Sequence, residues 1–368
     1  MDNLRDPLSV TLVTESRLTS TDFNDLGFGN HFSDHMFSME FENGAWRNPS
    51  IIPYGPIAME PGTGALHYSQ SVFEGLKAFR GSDDQIRVFR PDMNARRMAR
   101  SCERLCIPVI DPALFIEAVR AIVRTDQDWI PGKRGQALYV RPIVFGVEPH
   151  LEVRPASRYR FLIMTSPVRT YYGDEITPVA LHVQQHYTRA SPGGVGEAKT
   201  GGNYAASLLP GERARDQGFN QALWLDGIEH KYVEEVGQMN IFFRFGDTVV
   251  TPALRGTILP GVTRDSVITL LRDQGFAVEE RRLAVDEVLE GSRSGTLREV
   301  FGAGTAAVIA PVGRICLGGT TYEINNNEPG ELTGALYNKI TSIQYGETND
   351  PHGWNMLVPA GKAAAAAE

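Results

Sequence analysis

Lys199 is the side chain in this sequence whose surroundings best suit covalent chemistry. It stands in GEAKTGG, among small residues that let a backbone and a ligand approach each other closely. A lysine that forms a Schiff base must be partly desolvated so that its amine is available, and a pocket lined by small residues allows this. The competing reading is a solvated loop lysine. A phosphate loop of the form G-x-x-x-x-G-K-[ST] does not fit, because Ala198 precedes Lys199 and Thr200 where glycine is required.

Other candidates are weaker taken singly. Glu234 and Glu235 in YVEEVGQMN offer a carboxylate near a strand end that could meet a protonated ring nitrogen, or could equally be a surface pair. GVTRD, at 261–265, reads as a helix start whose N–H groups and dipole suit a phosphate. The GAGT turn at 302–305 is a second possible anion nest. Arg141 lies in the middle of a strand-like run. His31 and His35 are four apart, but no third or fourth ligand accompanies them, so no metal site is expected. Together, a reactive Lys, a carboxylate, two anion-binding turns and a strand Arg are the parts that pyridoxal phosphate chemistry requires.

The elements that would carry these residues follow from periodicity. Asp92 is placed to cap a helix through Met98, Cys102 and Leu105, and Asp111-Pro112 to open a second through Phe115, Val119 and Ile122. Runs 137–145, 159–164, 221–225 and 240–245 read as strands, as do the segments around Phe23 to Phe41. Gly261 should open a helix that ends before Gly275, and Leu332, Leu336, Ile340 and Ile343 mark a closing helix stopped by Gly346. Mixed elements in two blocks give an α+β fold with a smaller N-terminal domain (1–170), a connection (171–183) and a larger C-terminal domain (184–356). The low-complexity end, 357–368, reads as a tail outside the fold.

Composition narrows the field. Thirty-six Lys and Arg against 44 Asp and Glu give a net charge of −8, with no basic block, which argues against a nucleic-acid partner. No run reaches the ~20 apolar residues that a membrane helix needs, and the first residues do not read as a secretory signal. Cys102, Cys106 and Cys316 have no CxxC spacing and read as free thiols. A cytoplasmic chain is expected.

The stretches LHYSQSVFEGLKAFRG, RPDMNARRM, ALYVRPIVFG, EAKTGGNYAAS, YVEEVGQMN, TILPGVTRDSV and FGAGTAAV resemble, in order, the branched-chain amino acid aminotransferases of the animal and actinobacterial type. Those are fold-type IV pyridoxal phosphate enzymes, related to D-amino acid aminotransferase. The resemblance runs from about Phe28 to Gly346. It implies pyridoxal 5'-phosphate as cofactor and reversible amino transfer between L-leucine, L-isoleucine or L-valine and α-ketoglutarate in ping-pong order. Lys199 would then be the Schiff-base lysine and proton shuttle, and Glu235 the partner of the ring nitrogen, with Glu234 facing outward. Tyr204 would bond the phenolic oxygen. Arg97, rather than Arg96, would clamp the phosphate, helped by the backbone of Val262 and Thr263 and the hydroxyl of Thr305.

On the substrate side the resemblance implies that Thr305, Ala306 and Tyr68 hold the α-carboxylate. Phe28, Phe73, Tyr139, Tyr171 and Val153 would form an apolar box, and Arg141 would receive glutamate's second carboxylate. Tyr68 and Val153 would reach across a homodimer. Two departures stand out: Gln238 replaces the threonine that follows the EVG motif in animal members, and Ala307 and Ala310 replace their CxxC pair. Within the superfamily, a D-amino acid or amine transaminase, or aminodeoxychorismate lyase, would differ in the substrate wall. Outside it, the rival is a non-catalytic binder of a phosphorylated ligand, against which Lys199 speaks.

Overall fold

The computed structural model describes residues 6–169 and 177–359. They form two compact units: residues up to 169 with 198–201 and 342–359 make the first, and residues 177–197 with 202–341 the second. Each unit is built on its own nine-stranded sheet.

In the first unit the long central strands are Gln136–Gly146 and Tyr159–Arg169, antiparallel over their whole length. Beyond Tyr159–Arg169 lie His35–Glu42 and Ala45–Pro53, and beyond Gln136–Gly146 lie Leu76–Arg80, Ile86–Phe89 and the late strand Asn355–Val358. The short strand Ser71–Phe73 pairs separately with Gln136–Gly146. Helices Pro91–Arg104 and Pro112–Thr125 bury Met98, Cys102, Phe115, Val119 and Ile122 in one core with Val140, Val144, Phe161 and Ile163 of the sheet. Their apolar stripes recur at three- and four-residue spacings, which is why each helix has one face to bury. Asp111 caps the second helix, accepting from the N–H groups of Ala113 (2.9 Å) and Leu114 (3.3 Å).

The second unit runs, in sheet order, from Val233–Val236 through Gln221–Leu225, Val179–Val183, Val308–Leu317, Leu297–Gly304 and Asn240–Phe245 to Thr248–Pro252 and Ala277–Arg281. Its core joins Leu181, Leu223, Ile241, Phe243, Val300 and Ile315 with Val288 and Leu289 of helix Val285–Ser294. Gly261 opens helix Val262–Asp273, and Gly275, at φ +83°, follows its end. The closing helix is Glu331–Tyr345.

Three local expectations change. Asp92 is not a cap: Pro91 takes the first helical position, and Asp92 pairs with Arg96 one turn on. The turn assigned to 302–305 falls later, because Gly302 to Gly304 still pair with the strand opposite and Thr305 to Ala307 make the turn. Residues 23–32 form turns rather than a strand, and regular pairing begins at His35.

Candidate active site

Lys199 belongs to the first unit, held there by its backbone. The Phe73 N–H donates to the Lys199 carbonyl (3.0 Å), the Lys199 N–H donates to Ser101 Oγ (3.0 Å), and Thr200 bridges to Val72. These bonds attach the 198–201 segment to the Ser71–Phe73 strand and to helix Pro91–Arg104. They also set the half-buried amine 4.8 Å from the centroid of the Phe73 ring.

Phe73 in turn lies 5.0 Å from the Arg141 guanidinium carbon, and Tyr139 lies 5.1 Å from it on the same strand as Arg141. Arg141 donates from Nη2 to the Tyr139 hydroxyl (3.2 Å), while its buried Nε has no hydrogen-bond partner among the described residues. No carboxylate pairs with Arg141 among those residues either. Phe28 meets Tyr139 edge-on at 5.0 Å. Room for the Tyr139 hydroxyl comes from Gly75, where any Cβ would collide with it. The first unit thus brings together Phe28, Phe73, Tyr139, Arg141 and Lys199. Tyr171 lies outside the described residues. Tyr68, at the end of helix Gly64–Tyr68, and Val153 are exposed at 41% and 81%, and the Tyr68 hydroxyl donates to the Leu151 carbonyl (2.5 Å).

Arg97 is buried and Arg96 exposed, although they are neighbours, because helix Pro91–Arg104 turns only the former toward the sheet. Arg97 forms a two-bond fork with Glu74, Nε to Oε1 at 2.7 Å and Nη2 to Oε2 at 2.8 Å. Asn94 Nδ2 also donates to Glu74 Oε2 (2.7 Å).

The second unit holds the other candidates. Glu235 is buried, pairs with Arg189, and accepts from Asn240 Nδ2 (3.1 Å). The same Asn240 amide donates to the Leu259 carbonyl (2.9 Å), and Arg189 donates to the carbonyls of Thr257 and Gly196. Gly196 is required at this crossing, since a Cβ would lie 2.5 Å from the Thr257 oxygen. Together these bonds fix the loop that leads into helix Val262–Asp273. Tyr204, Glu235, Gln238, Asn203, Arg189 and Leu259 line one pocket. Gly261, at the N-cap, makes no side-chain cap hydrogen bond among the described residues, so the N–H groups of Val262 and Thr263 stand at a helix start that its own cap residue leaves open. Thr305 and Ala306 lie half-buried in the turn after the Leu297–Gly304 strand.

Glu234 faces away from Glu235 by strand alternation, but it is not a surface residue: it is buried, and Oε1 accepts from the Thr257 hydroxyl (2.5 Å). Burial pushes its carboxyl above the ordinary range, and the Thr257 bond only partly offsets this. His35 is likewise a core residue. Its Nδ1 meets Asp126 Oδ1 (2.5 Å), and its Nε2 accepts from the Val13 N–H (3.0 Å).

Sequence reasoning singled out neither Glu74, Arg189, Asn94, Asn240 nor Thr257. The signal available was that Glu74, Asn94, Asn240 and Thr257 lie inside the family-like stretches LHYSQSVFEGLKAFRG, RPDMNARRM, YVEEVGQMN and TILPGVTRDSV, whereas Arg189 lies in none of them.

The chain belongs to the class IV amino-transferases, whose family pattern matches residues 71–315. Among relatives, it is 48% identical over 339 residues to branched-chain-amino-acid transaminase 1 of Bacillus subtilis (strain 168), covering 92% of this chain and 95% of that one. It is 49% identical over 334 residues to the branched-chain-amino-acid aminotransferase of Mycobacterium tuberculosis (strain H37Rv), covering 89% and 91%. Among solved structures, the Escherichia coli branched-chain amino acid aminotransferase matches with TM-score 0.73 at 28% identity, over 89% of this chain and 99% of that one. A second branched-chain amino acid aminotransferase, from T.th. and complexed with N-(5'-phosphopyridoxyl)-L-glutamate, matches with TM-score 0.68 at 27% identity, over 87% and 98%. The fold is therefore that of the fold-type IV aminotransferases, and the chain is a transaminase.

Proposed function

We propose that this transaminase moves the amino group reversibly between L-leucine, L-isoleucine or L-valine and α-ketoglutarate, in ping-pong order, with pyridoxal 5'-phosphate as cofactor. The observation that carries the substrate reading is Arg141: a cation held between Phe73 and Tyr139, with no acidic partner among the described residues, next to the ring that also carries the Lys199 amine. Aromatic walls suit a branched apolar side chain, and an unpaired guanidinium suits the second carboxylate of glutamate.

The residues present fit the cofactor. The start of helix Val262–Asp273, which Gly261 leaves open, suits a phosphate, and the pocket at Tyr204 and Glu235 offers a hydroxyl and a buried carboxylate. When bound, pyridoxal phosphate supplies a conjugated ring that spreads the electrons left on the substrate's Cα. In this reading Lys199 would hold the cofactor covalently until the substrate's amine displaces it, and its freed Nζ would then carry the proton between the substrate's Cα and the cofactor's C4′. Glu235 accepts the ring N–H, with Arg189 and Asn240 fixing its two oxygens. Tyr204 donates to the phenolic oxygen. Arg97, the Val262 and Thr263 N–H groups and the Thr305 hydroxyl hold the phosphate. Thr305 and Ala306 orient the α-carboxylate, and Phe28, Phe73, Tyr139 and Tyr171 exclude water from the side chain. Gln238, exposed beside the pocket, borders the substrate. A coupled assay over amino donors tests this: turnover should favour the three branched-chain amino acids and glutamate, and a preference for D-amino acids would overturn it.

The enzyme is further read as a cytoplasmic homodimer in which Tyr68 and Val153 serve the other subunit's site. Exposed Leu66, Tyr68, Leu151 and Val153 in the first unit support a covered face. The cysteines at 102, 106 and 316 are all free, which suits a reducing compartment. No helix of the described residues is long and apolar enough to cross a membrane. Refolding Tyr68→Phe with Lys199→Ala chains tests the shared site. If Tyr68 acts across the interface, mixed dimers have one intact site, and activity returns to about a quarter of wild type. No recovery, with mixed dimers present, would contradict it.

A further inference from the structure

We propose that Glu74 is a positioning residue: by gripping one edge of the Arg97 guanidinium it aims the other toward the cofactor's phosphate, and so makes the enzyme discriminate phosphorylated from unphosphorylated cofactor. The inference rests on the reading that Arg97 holds that phosphate, and deepens it by naming what gives Arg97 its direction.

Glu74 is fully buried and spends both oxygens on this task. Oε1 accepts from Arg97 Nε (2.7 Å), and Oε2 accepts from Arg97 Nη2 (2.8 Å), Asn94 Nδ2 (2.7 Å) and its neighbour's Gly75 N–H (3.1 Å). A guanidinium is a rigid plane, so bonds to Nε and Nη2 fix where Nη1 points. A buried carboxylate is costly unless it is paired and hydrogen-bonded, and this one is both. Burial pushes the Glu74 carboxyl up, but Arg97, the charge of Lys199 and the Asn94 amide together hold it below the ordinary range.

The Glu74 backbone is fixed as firmly as its side chain. Its N–H donates to the Pro142 carbonyl (2.8 Å), Phe73 before it carries Lys199 and Arg141, and Gly75 after it makes room for Tyr139. One tripeptide therefore ties the aromatic wall to the phosphate-directed arginine. A purely electrostatic role would have the opposite effect, because removing a negative charge beside Arg97 and Lys199 should tighten phosphate binding.

The test compares cofactor-free enzyme titrated with pyridoxal 5'-phosphate and with pyridoxal, read by the visible band. In Glu74→Gln the amide nitrogen faces the Arg97 or Asn94 donors and breaks the fork. Affinity for pyridoxal phosphate should fall about tenfold, the scale of one charge-assisted hydrogen bond, while affinity for pyridoxal stays within about twofold. In an Arg97→Gln background the same change should have no further effect on either affinity, because Glu74 acts through Arg97. Equal losses for both ligands would mark a merely structural residue, and tighter phosphate binding a charge effect; either overturns the proposal. If Glu74→Gln does not fold, Asn94→Ala, which removes one of the bonds to Oε2, should give a smaller loss confined to the phosphorylated ligand, and its absence would count against the proposal. A wild-type chain that binds neither ligand would overturn the cofactor reading itself.

Discussion

The Phe73 N–H donates to the carbonyl of Lys199 at 3.0 Å, and the amine of the same lysine lies 4.8 Å from the Phe73 ring centroid. Backbone and side chain are thus held by one residue through independent contacts. Lys199→Ala removes only the second, so the chain should fold with unchanged thermal stability within about 1 kcal/mol. Turnover should fall on the order of 10²–10⁴-fold or more, the range for losing a general acid–base group, with the covalent link lost as well. Steady-state rates with L-leucine check this, and near-normal turnover would remove Lys199 from the chemistry.

Glu235 and Glu234 predict a contrast. Glu235→Gln leaves Arg189 buried against a neutral amide and weakens the acceptor offered to the ring nitrogen. Cofactor should remain bound while turnover drops on the order of 10²-fold. Glu234→Gln should be mild, because the Thr257 hydroxyl can donate to an amide oxygen as it does to the carboxylate. Exchanged phenotypes would show that the two side chains have each other's roles.

Arg141→Gln should separate the two substrate classes. Losing a charge-assisted bond of about 1.5–3 kcal/mol should raise the KM for α-ketoglutarate or glutamate roughly 10- to 100-fold. The KM for L-leucine, which has no second carboxylate, should change little. Equal loss for both would mean that Arg141 supports the wall without reading the carboxylate.

Asp226 gives a pH signature away from this chemistry. Burial raises its carboxyl, but the N–H groups of Ile228, Glu229, Lys231 and Tyr232 outweigh that and bring its pKa to about 2, below the ordinary 3.8. A depressed folded value stabilises the protein above about pH 4, and that stabilisation is lost as the pH falls through about 2. Asp226→Asn should cost about 1–2 kcal/mol at pH 7 in denaturant unfolding, with the gap narrowing below pH 4. A gap independent of pH would contradict this.

What could be read in the sequence was local. The Asp111 cap, the Phe115–Val119–Ile122 stripe and the strands Gln221–Leu225 and Asn240–Phe245 are written in runs of a dozen residues or fewer. Lys199 stood out by its small neighbours, and the motif resemblance supplied the family. Strand order did not follow, because Asn355–Val358 pairs with Ile86–Phe89 across most of the chain. Glu74 and Arg97 are 23 residues apart and Arg189 and Glu235 lie further still, so no spacing rule connects them. Asp92 failed as a cap because Pro91 beside it is the better first helical residue. Glu234 read as exposed because two adjacent acids in a strand usually leave one in water, whereas here Thr257 gives the second a buried partner.

The most direct test of the central claim is the first half-reaction. Purified holoenzyme, with no keto-acid acceptor present, is mixed with L-leucine while the visible band and the leucine-derived keto acid are followed together. The band should collapse, keto acid should form in proportion to the chains present, and α-ketoglutarate should then restore the band with release of glutamate. A band unchanged by L-leucine, L-isoleucine and L-valine, yet lost on adding a D-amino acid or another amine, would contradict that claim.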